Sequence, residues 1–108
     1  MKQNLVIYRT KPDRAEENQR LVEAVFRELH ATMPGGLRYA SMRLADDTFV
    51  HVVETQEDSS VLLEMAAFKR FLAELRERCI EAPRVNAMTI VGNYRMLTTE
   101  AAPAMAPA

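Results

Sequence analysis

The chain has one cysteine, three glycines, no tryptophan and a formal net charge of −1 over 108 residues. Each of these shortages closes off a class of protein. A lone Cys79 supports neither a disulfide framework nor a thiolate metal cage. A charge so near zero, with arginines spread among Asp and Glu, creates no field that would draw nucleic acid or acidic lipid. No nucleic-acid or membrane partner is therefore expected. No stretch approaches the ~20 apolar residues needed to span a bilayer. The N-terminal run Leu5-Val6-Ile7-Tyr8 is too short for a secretory-signal core, and no small-residue cleavage site follows it. The default expectation is a cytoplasmic protein. Gly35-Gly36 follow a predicted helix instead of opening one, the wrong order for a phosphate cradle. No Ser/His/Asp ordering and no paired acidic motif stands out.

What is present is a regular alternation of β-like and helical patterns. Leu5 to Arg9 is rich in β-formers and stops at Thr10-Lys11-Pro12. Asp13-Arg14-Ala15-Glu16 has the form of a capping box. Val22, Val25, Phe26, Leu29 and Met33 then recur at helical spacing, predicting a helix over 13–32. Met33-Pro34-Gly35-Gly36 should end it, with glycine taking the left-handed cap. Residues 37–44 and 49–55 read as a hairpin turning at Ala45-Asp46-Asp47-Thr48. A helical segment is predicted over 60–80, with Val61, Met65, Phe68, Leu72, Leu75 and Cys79 as its inner stripe and a break near Ala66-Ala67. Arg84 to Leu97 reads as the last strand, with Gly92 marking a bulge or a close backbone approach. The order is βαββαβ, an α+β, ferredoxin-like fold with a four-stranded antiparallel sheet and helices on one face. Residues 1–97 form the domain and 98–108 a flexible Ala/Pro-rich tail.

Such a sheet leaves one face uncovered. With Asp46-Asp47 at the hairpin tip, Leu44 faces Phe49 and Met42 faces His51. This places Ala40, Met42, Leu44, Phe49, His51 and Val53 on one face, and Tyr39, Ser41, Arg43, Val50, Val52 and Glu54 on the other. Leaving apolar side chains such as Val50 and Val52 in water forfeits about 1.5–3 kcal/mol each relative to burial. A two-fold pairing of sheets removes that cost with one self-complementary patch. A homodimer through the Tyr39/Val50/Val52 face is expected.

The order βαββαβ, the strand Phe49-Val50-His51-Val52-Val53-Glu54, the helix Ala67-Phe68-Lys69-Arg70-Phe71-Leu72 and the closing Ala82-Pro83-Arg84-Val85 resemble the antibiotic biosynthesis monooxygenase (ABM) family of dimeric α–β barrels. The resemblance spans roughly residues 4–94. It implies a sheet-to-sheet dimer and a ligand cavity between sheet and helices. The activities it implies are cofactor-independent oxygenation of phenols, quinol oxygenation, haem degradation or none. Enzymatic members commonly carry a Trp after the Glu of the third strand and a His early in the next helix. Here those stretches read Glu54-Thr55-Gln56 and Ser60-Val61-Leu62-Leu63-Glu64-Met65.

His51 is the leading candidate for chemistry, because a neutral imidazole in such a cavity can accept a proton near working pH. The plainer reading is a core-edge histidine hydrogen-bonded to a neighbour. Met42, Arg43, Phe68, Leu72 and Tyr94 are the candidate ligand-pocket residues, with Arg43 or Tyr94 assisting His51. His30, near a helix end, suits a surface role beside the helix dipole. Cys79 on a buried stripe suits an inert thiol. Two histidines without a third ligand make no metal site. The first functional reading is a cofactor-independent monooxygenase acting on a small aromatic or quinol-like compound, with no metal or flavin and dioxygen as co-substrate. The alternative is a non-catalytic dimer that binds a small apolar ligand or another protein, favoured by the missing Trp.

Overall fold

The structure, a computed structural model, describes residues 1–96. Strand β1 (Lys2–Thr10) leads through a 3-10 turn at Pro12–Arg14 into helix α1 (Ala15–Thr32). The hairpin β2 (Leu37–Arg43) and β3 (Thr48–Thr55) follows. Two short helices, α2 (Val61–Glu64) and α3 (Ala66–Leu72), and a 3-10 turn at Arg76–Arg78 lead into β4 (Cys79–Ala87). The strands form one antiparallel sheet in the order β2-β3-β1-β4. This is the ferredoxin-like α+β arrangement that the element order predicts. The tail over 98–108 lies outside the described residues.

Helix α1 buries Ala15, Asn18, Val22 and Val25, a 3-4-3 spacing that keeps one stripe on the sheet. The core is Tyr8 and Phe49 from the central strands, Val22 and Val25 from α1, and Met65, Ala67, Phe71 and Leu75 from the second helical region. Tyr8 and Phe49 stack across the β1–β3 ladder with ring centroids 5.5 Å apart. Glu28 of α1 accepts a hydrogen bond from the backbone N–H of Ala67 at 2.9 Å, satisfying a first-turn donor of α3 from a neighbouring helix.

Several expectations are corrected. The Asp13/Glu16 capping box does not form. Pro12 sits at the start of the 3-10 turn, α1 begins only at Ala15, and neither start has a side-chain cap. The left-handed C-cap of α1 is Met33 (φ 48°, ψ 55°), whose N–H reaches the Leu29 carbonyl, so the chain turns two residues before its first glycine. Met33 is consequently exposed instead of joining the inner stripe. The break expected near Ala66-Ala67 falls at Met65, whose backbone is extended (φ −80°, ψ 133°), and the helix beyond it ends already at Leu72 instead of running to residue 80. Cys79 therefore starts a strand instead of closing a helix stripe. Strand β4 starts and stops earlier than predicted, and Gly92 lies beyond it with open space around its Cα.

The hairpin register differs from the expected one by a single residue. Arg43 pairs with Phe49, Met42 with Val50, Ser41 with His51 and Tyr39 with Val53. The tip holds four residues, Leu44–Asp47, with Asp47 at φ 68° and the Leu44 N–H bonded to the Thr48 carbonyl. Because side chains alternate, this shift leaves the β3 residues where they were and exchanges every β2 residue between faces. Tyr39, Ser41 and Arg43 join His51 on the helix side. Ala40 and Met42 join Val50 and Val52 on the outer side.

A non-glycine residue in the left-handed region costs about 1–2 kcal/mol, and the exposed Met33 side chain returns little for it. Met33→Gly is expected to raise stability by about 1 kcal/mol. The check is an upward shift of the urea midpoint at unchanged slope.

Candidate functional site

The helix-covered face of the sheet brings together residues from all four strands. Val6 of β1 lies opposite both His51 of β3 and Val85 of β4, while Tyr8 lies opposite Phe49. Between this face and the second helical region is a cavity of about 290 Å³. Its sheet side carries Val6, Tyr8, Tyr39, His51 and Val53. Its helix side carries Phe68, Phe71 and Leu72 of α3, with Leu75 beyond. Leu63, Leu72 and Val85 also line it and are exposed, so they mark its mouth. None of the lining side chains is charged, and the polar groups among them are two tyrosine hydroxyls and the His51 ring.

Those polar groups are hydrogen-bonded to one another. Tyr8 OH lies 2.9 Å from His51 Nε2, and Tyr39 OH lies 2.7 Å from His51 Nδ1, so both ring nitrogens are engaged. Asn18 of α1 donates from Nδ2 to Tyr8 OH at 2.9 Å. Arg78 donates from Nε to Asn18 Oδ1 at 2.9 Å, and to the carbonyls of Ala73 (3.0 Å) and Phe71 (2.6 Å). Arg78 is only 1 % exposed, yet every acceptor it meets is neutral. The His51 ring is 2 % exposed and packs against Tyr8 and Phe71, each with centroids 5.4 Å away. Burial without a counter-charge lowers its pKa from 6.5 to about 4. Burial also pushes the Tyr8 and Tyr39 hydroxyls above the ordinary phenol range.

The sequence-predicted site residues separate into three places. His51, Phe68 and Leu72 line the cavity. Arg43 and Met42 line a second, larger groove of about 630 Å³ between α1 and the β2 edge, together with Gln19, Glu23, Arg27 and His30. Arg43 is there engaged by Glu16 (2.8 Å), Gln19 (2.6 Å) and Asp47 (2.8 Å), away from His51. Tyr94 follows β4, is 79 % exposed and stacks only under the guanidinium of Arg95 at 4.9 Å. Sequence reasoning placed Tyr39 on the wrong face and passed over Tyr8, Asn18 and Arg78. One signal was available. Asn18 stands at a helical position otherwise filled by Ala15, Val22 and Val25, and a polar residue on an apolar stripe marks a buried hydrogen bond.

Among the described residues no cluster of three metal-ligating side chains occurs, and no helix is long and apolar enough to cross a membrane. His51, with both nitrogens taken, does not offer an axial position to haem.

No family model matches the chain, and no curated protein matches it significantly. Solved structures do. One described as an antibiotic biosynthesis monooxygenase superposes with a TM-score of 0.68 at 16% identity, covering 85% of this chain and 100% of its own. A conserved protein from Methanosarcina mazei Go1 gives 0.65 at 15%, over 81% of this chain and 89% of its own. A protein of unknown function from Nitrosomonas europaea gives 0.64 at 14%, over 86% and 92%. Identities this low establish a shared fold. The chain has the fold of the ABM-type structures over most of its length, in agreement with the resemblance carried by its motifs.

A histidine kept neutral by burial makes the unfolded chain the better proton binder between pH 4 and 6.5. Its contribution to stability is therefore complete above pH 6.5 and is lost as pH falls toward 4. Between pH 7 and 5 the wild type should lose about 2 kcal/mol more than a His51→Gln variant, as measured by urea unfolding at the two pH values.

Proposed function

We propose that this chain is an ABM-like, cofactor-independent monooxygenase acting on a small aromatic or quinol-like compound held in the cavity between the sheet and α3. The observation that carries this reading is the cavity itself, about 290 Å³ of apolar space whose polar end is the Tyr39–His51 pair. An apolar slot lined by Phe68, Phe71 and Leu72 suits a flat ring, and a few polar groups at one end orient it. The ABM-type structures with the same fold agree in architecture, and the activity is carried over to this chain only as part of the proposal.

The chemistry this site suits is stabilisation of an oxyanion. A conjugate acid near pKa 4 makes His51 a weak base, so proton abstraction by the imidazole is the lesser part. A phenol bound there is neutral, and the negative charge that develops on its oxygen as the O–H bond breaks meets hydroxyl and imidazole dipoles fixed in place for it. The electron-rich ring then reduces dioxygen. Phenol plus dioxygen gives quinone plus water. One oxygen atom replaces hydrogen on the ring, and the other leaves as water with the ring hydrogen and the phenolic hydrogen. The test is oxygen uptake with naphthols and naphthalenediols, using labelled dioxygen and no added metal or flavin. Turnover with one labelled oxygen in the product is expected, and Leu72→Trp, which fills the cavity from its exposed rim, should abolish it with the fold intact. Saturable naphthol binding without oxygen uptake would instead favour the non-catalytic ligand-binding role.

The same proposal includes a homodimer through the outer sheet face. Leu5, Ile7, Ala40, Val50 and Val52 give that face an apolar centre, since each pairs across the ladder on the side away from the helices. Val52→Glu should convert a dimer to a monomer in sedimentation equilibrium. An unchanged mass, or a monomeric wild type, would reject this interface.

A further inference from the structure

The five side chains behind the cavity do more than fill space, because the hydrogen-bond directions along them are forced from one end. Arg78 is a donor only. The Asn18 atom 2.9 Å from its Nε must therefore be the carbonyl oxygen, which turns the Asn18 amide NH₂ toward Tyr8 OH at 2.9 Å. The Tyr8 oxygen accepts that bond, and its own proton needs an acceptor in a site 2 % exposed. The acceptor within reach is His51 Nε2 at 2.9 Å. An imidazole that accepts at Nε2 and is neutral must carry its proton on Nδ1. That proton goes to Tyr39 OH at 2.7 Å. Tyr39 then holds a hydroxyl hydrogen with no further acceptor among the described residues, at the wall of the cavity.

We infer that Arg78, Asn18, Tyr8 and His51 form a one-way relay that presents the Tyr39 hydroxyl to the cavity as a hydrogen-bond donor, so that the ligand is an uncharged ring meeting it through an acceptor oxygen. The inference rests on the cavity being the ligand site. On this reading Tyr39 is the group that touches the ligand, and the other four are positioning residues. The absence of a charged side chain from the lining disfavours a carboxylate, which would enter without a cation to pair with. A neutral oxygen with a free lone pair, such as a carbonyl, satisfies the hydroxyl. A ring that offers only a donor proton leaves the Tyr39 hydrogen unmatched.

Asn18→Asp tests the direction of the relay. A carboxylate accepts from Arg78 and accepts from Tyr8 as well, so Tyr8 must turn its proton toward α1. Its oxygen then accepts from His51 Nε2–H, the imidazole switches tautomer, and Tyr39 donates to Nδ1. The cavity then meets a lone pair instead of a proton.

The experiment reads the ¹⁵N shifts of the His51 ring by NMR at pH 7, with the exposed His30 as an internal reference, and the binding of three probes on one ring system: naphthalene, 1-naphthol and 1-naphthaldehyde. The wild type is expected to show the Nδ1–H tautomer and to bind 1-naphthaldehyde about tenfold more tightly than naphthalene, the scale of one net hydrogen bond. Tyr39→Phe should keep the tautomer and erase that preference. Asn18→Asp should show Nε2–H and shift the preference to 1-naphthol. A wild-type ring carrying its proton on Nε2, or an Asn18→Asp ring unchanged from wild type, would overturn the relay whether or not any probe binds. The wild-type spectrum needs no variant to fold. The predicted tautomers with no saturable probe binding would leave the relay standing, reject Tyr39 as a ligand contact and reject the cavity as a ligand site.

Discussion

The hydroxyl of Tyr8 is the point through which the two halves of this small domain are joined. It sits on a central strand, 2 % exposed, between Asn18 of the first helix and His51 of the neighbouring strand. Its ring stacks on Phe49 and meets Phe71 from the second helical region, with centroids 6.3 Å apart. A buried phenol without partners would cost about 1–3 kcal/mol. Here both its donor and its acceptor roles are used, and each partner belongs to a different element. The helix α1, the hairpin and the approach to β4 are thus held to the sheet by polar contacts as well as by apolar area. Arg78 extends this anchoring. A guanidinium so deeply buried with no carboxylate bonded to it is expensive, and it is tolerated because two backbone carbonyls at the end of α3 and the Asn18 side chain take its donors. Those carbonyls are the unpaired acceptors that a short helix leaves where it stops.

The pattern of elements was legible in the sequence because it depends on strong local signals. The 3.6-residue stripe through Val22 and Val25, the strand-like Phe49 to Thr55 and the helix Ala67 to Leu72 each stand out from their neighbours. The element ends were less legible, since they depend on choices between near-equal local conformations. Met33 takes the left-handed cap although Gly35 is available two residues on, because the helix stripe ends at that turn and the Leu29 carbonyl needs a donor. The second helix breaks at Met65 although that residue is a good helix former, because the break lets Met65 itself reach the core, and Glu28 caps the new start. Tertiary contacts decided both exact positions, although a break near Ala66-Ala67 was already legible in the sequence.

The site was half legible for a different reason. His51 could be placed on the helix side because β3 alternates cleanly, and that assignment does not depend on its partner strand. Tyr39 could not be placed the same way, because β2 reads Leu37-Arg38-Tyr39-Ala40-Ser41-Met42-Arg43, with apolar and polar residues on both parities. The number of residues in the hairpin tip set its face, and the Asp46-Asp47 pair fits a two-residue or a four-residue connection. The four-residue tip is stabilised by the Asp46 side chain accepting from the Thr48 N–H at 3.0 Å, and by Arg43 reaching back to Asp47. A contact between polar side chains at the tip thus decides which β2 residues meet the cavity. It moves a tyrosine from a predicted dimer face to the side of a histidine.

That coupling has a consequence for how the fold divides its work. The central strands β1 and β3 are apolar on both parities, so each presents one set of side chains to the helices and another to the opposite side. Val6, Tyr8, His51 and Val53 belong to the cavity side, and Leu5, Ile7, Val50 and Val52 to the outer side. The two surfaces share a backbone and no side chains. Substitutions can alter what the cavity accepts without changing the outer face, and the reverse, provided that strand register holds. Register is the constraint they share, since a one-residue slip would send Tyr39 outward and Ala40 inward, removing the cavity's hydroxyl and breaking the apolar centre of the outer face in one step. Two features oppose such a slip. The part-buried Tyr39–His51 bond fixes β2 against β3 on the inner side. Glu54, 4 % exposed and bonded across the ladder to Gln3 and Arg38, fixes β1, β3 and β2 on the outer side. A polar lock on each face therefore holds one register, and the choice of ligand-facing group follows from the same geometry that shapes the outer surface.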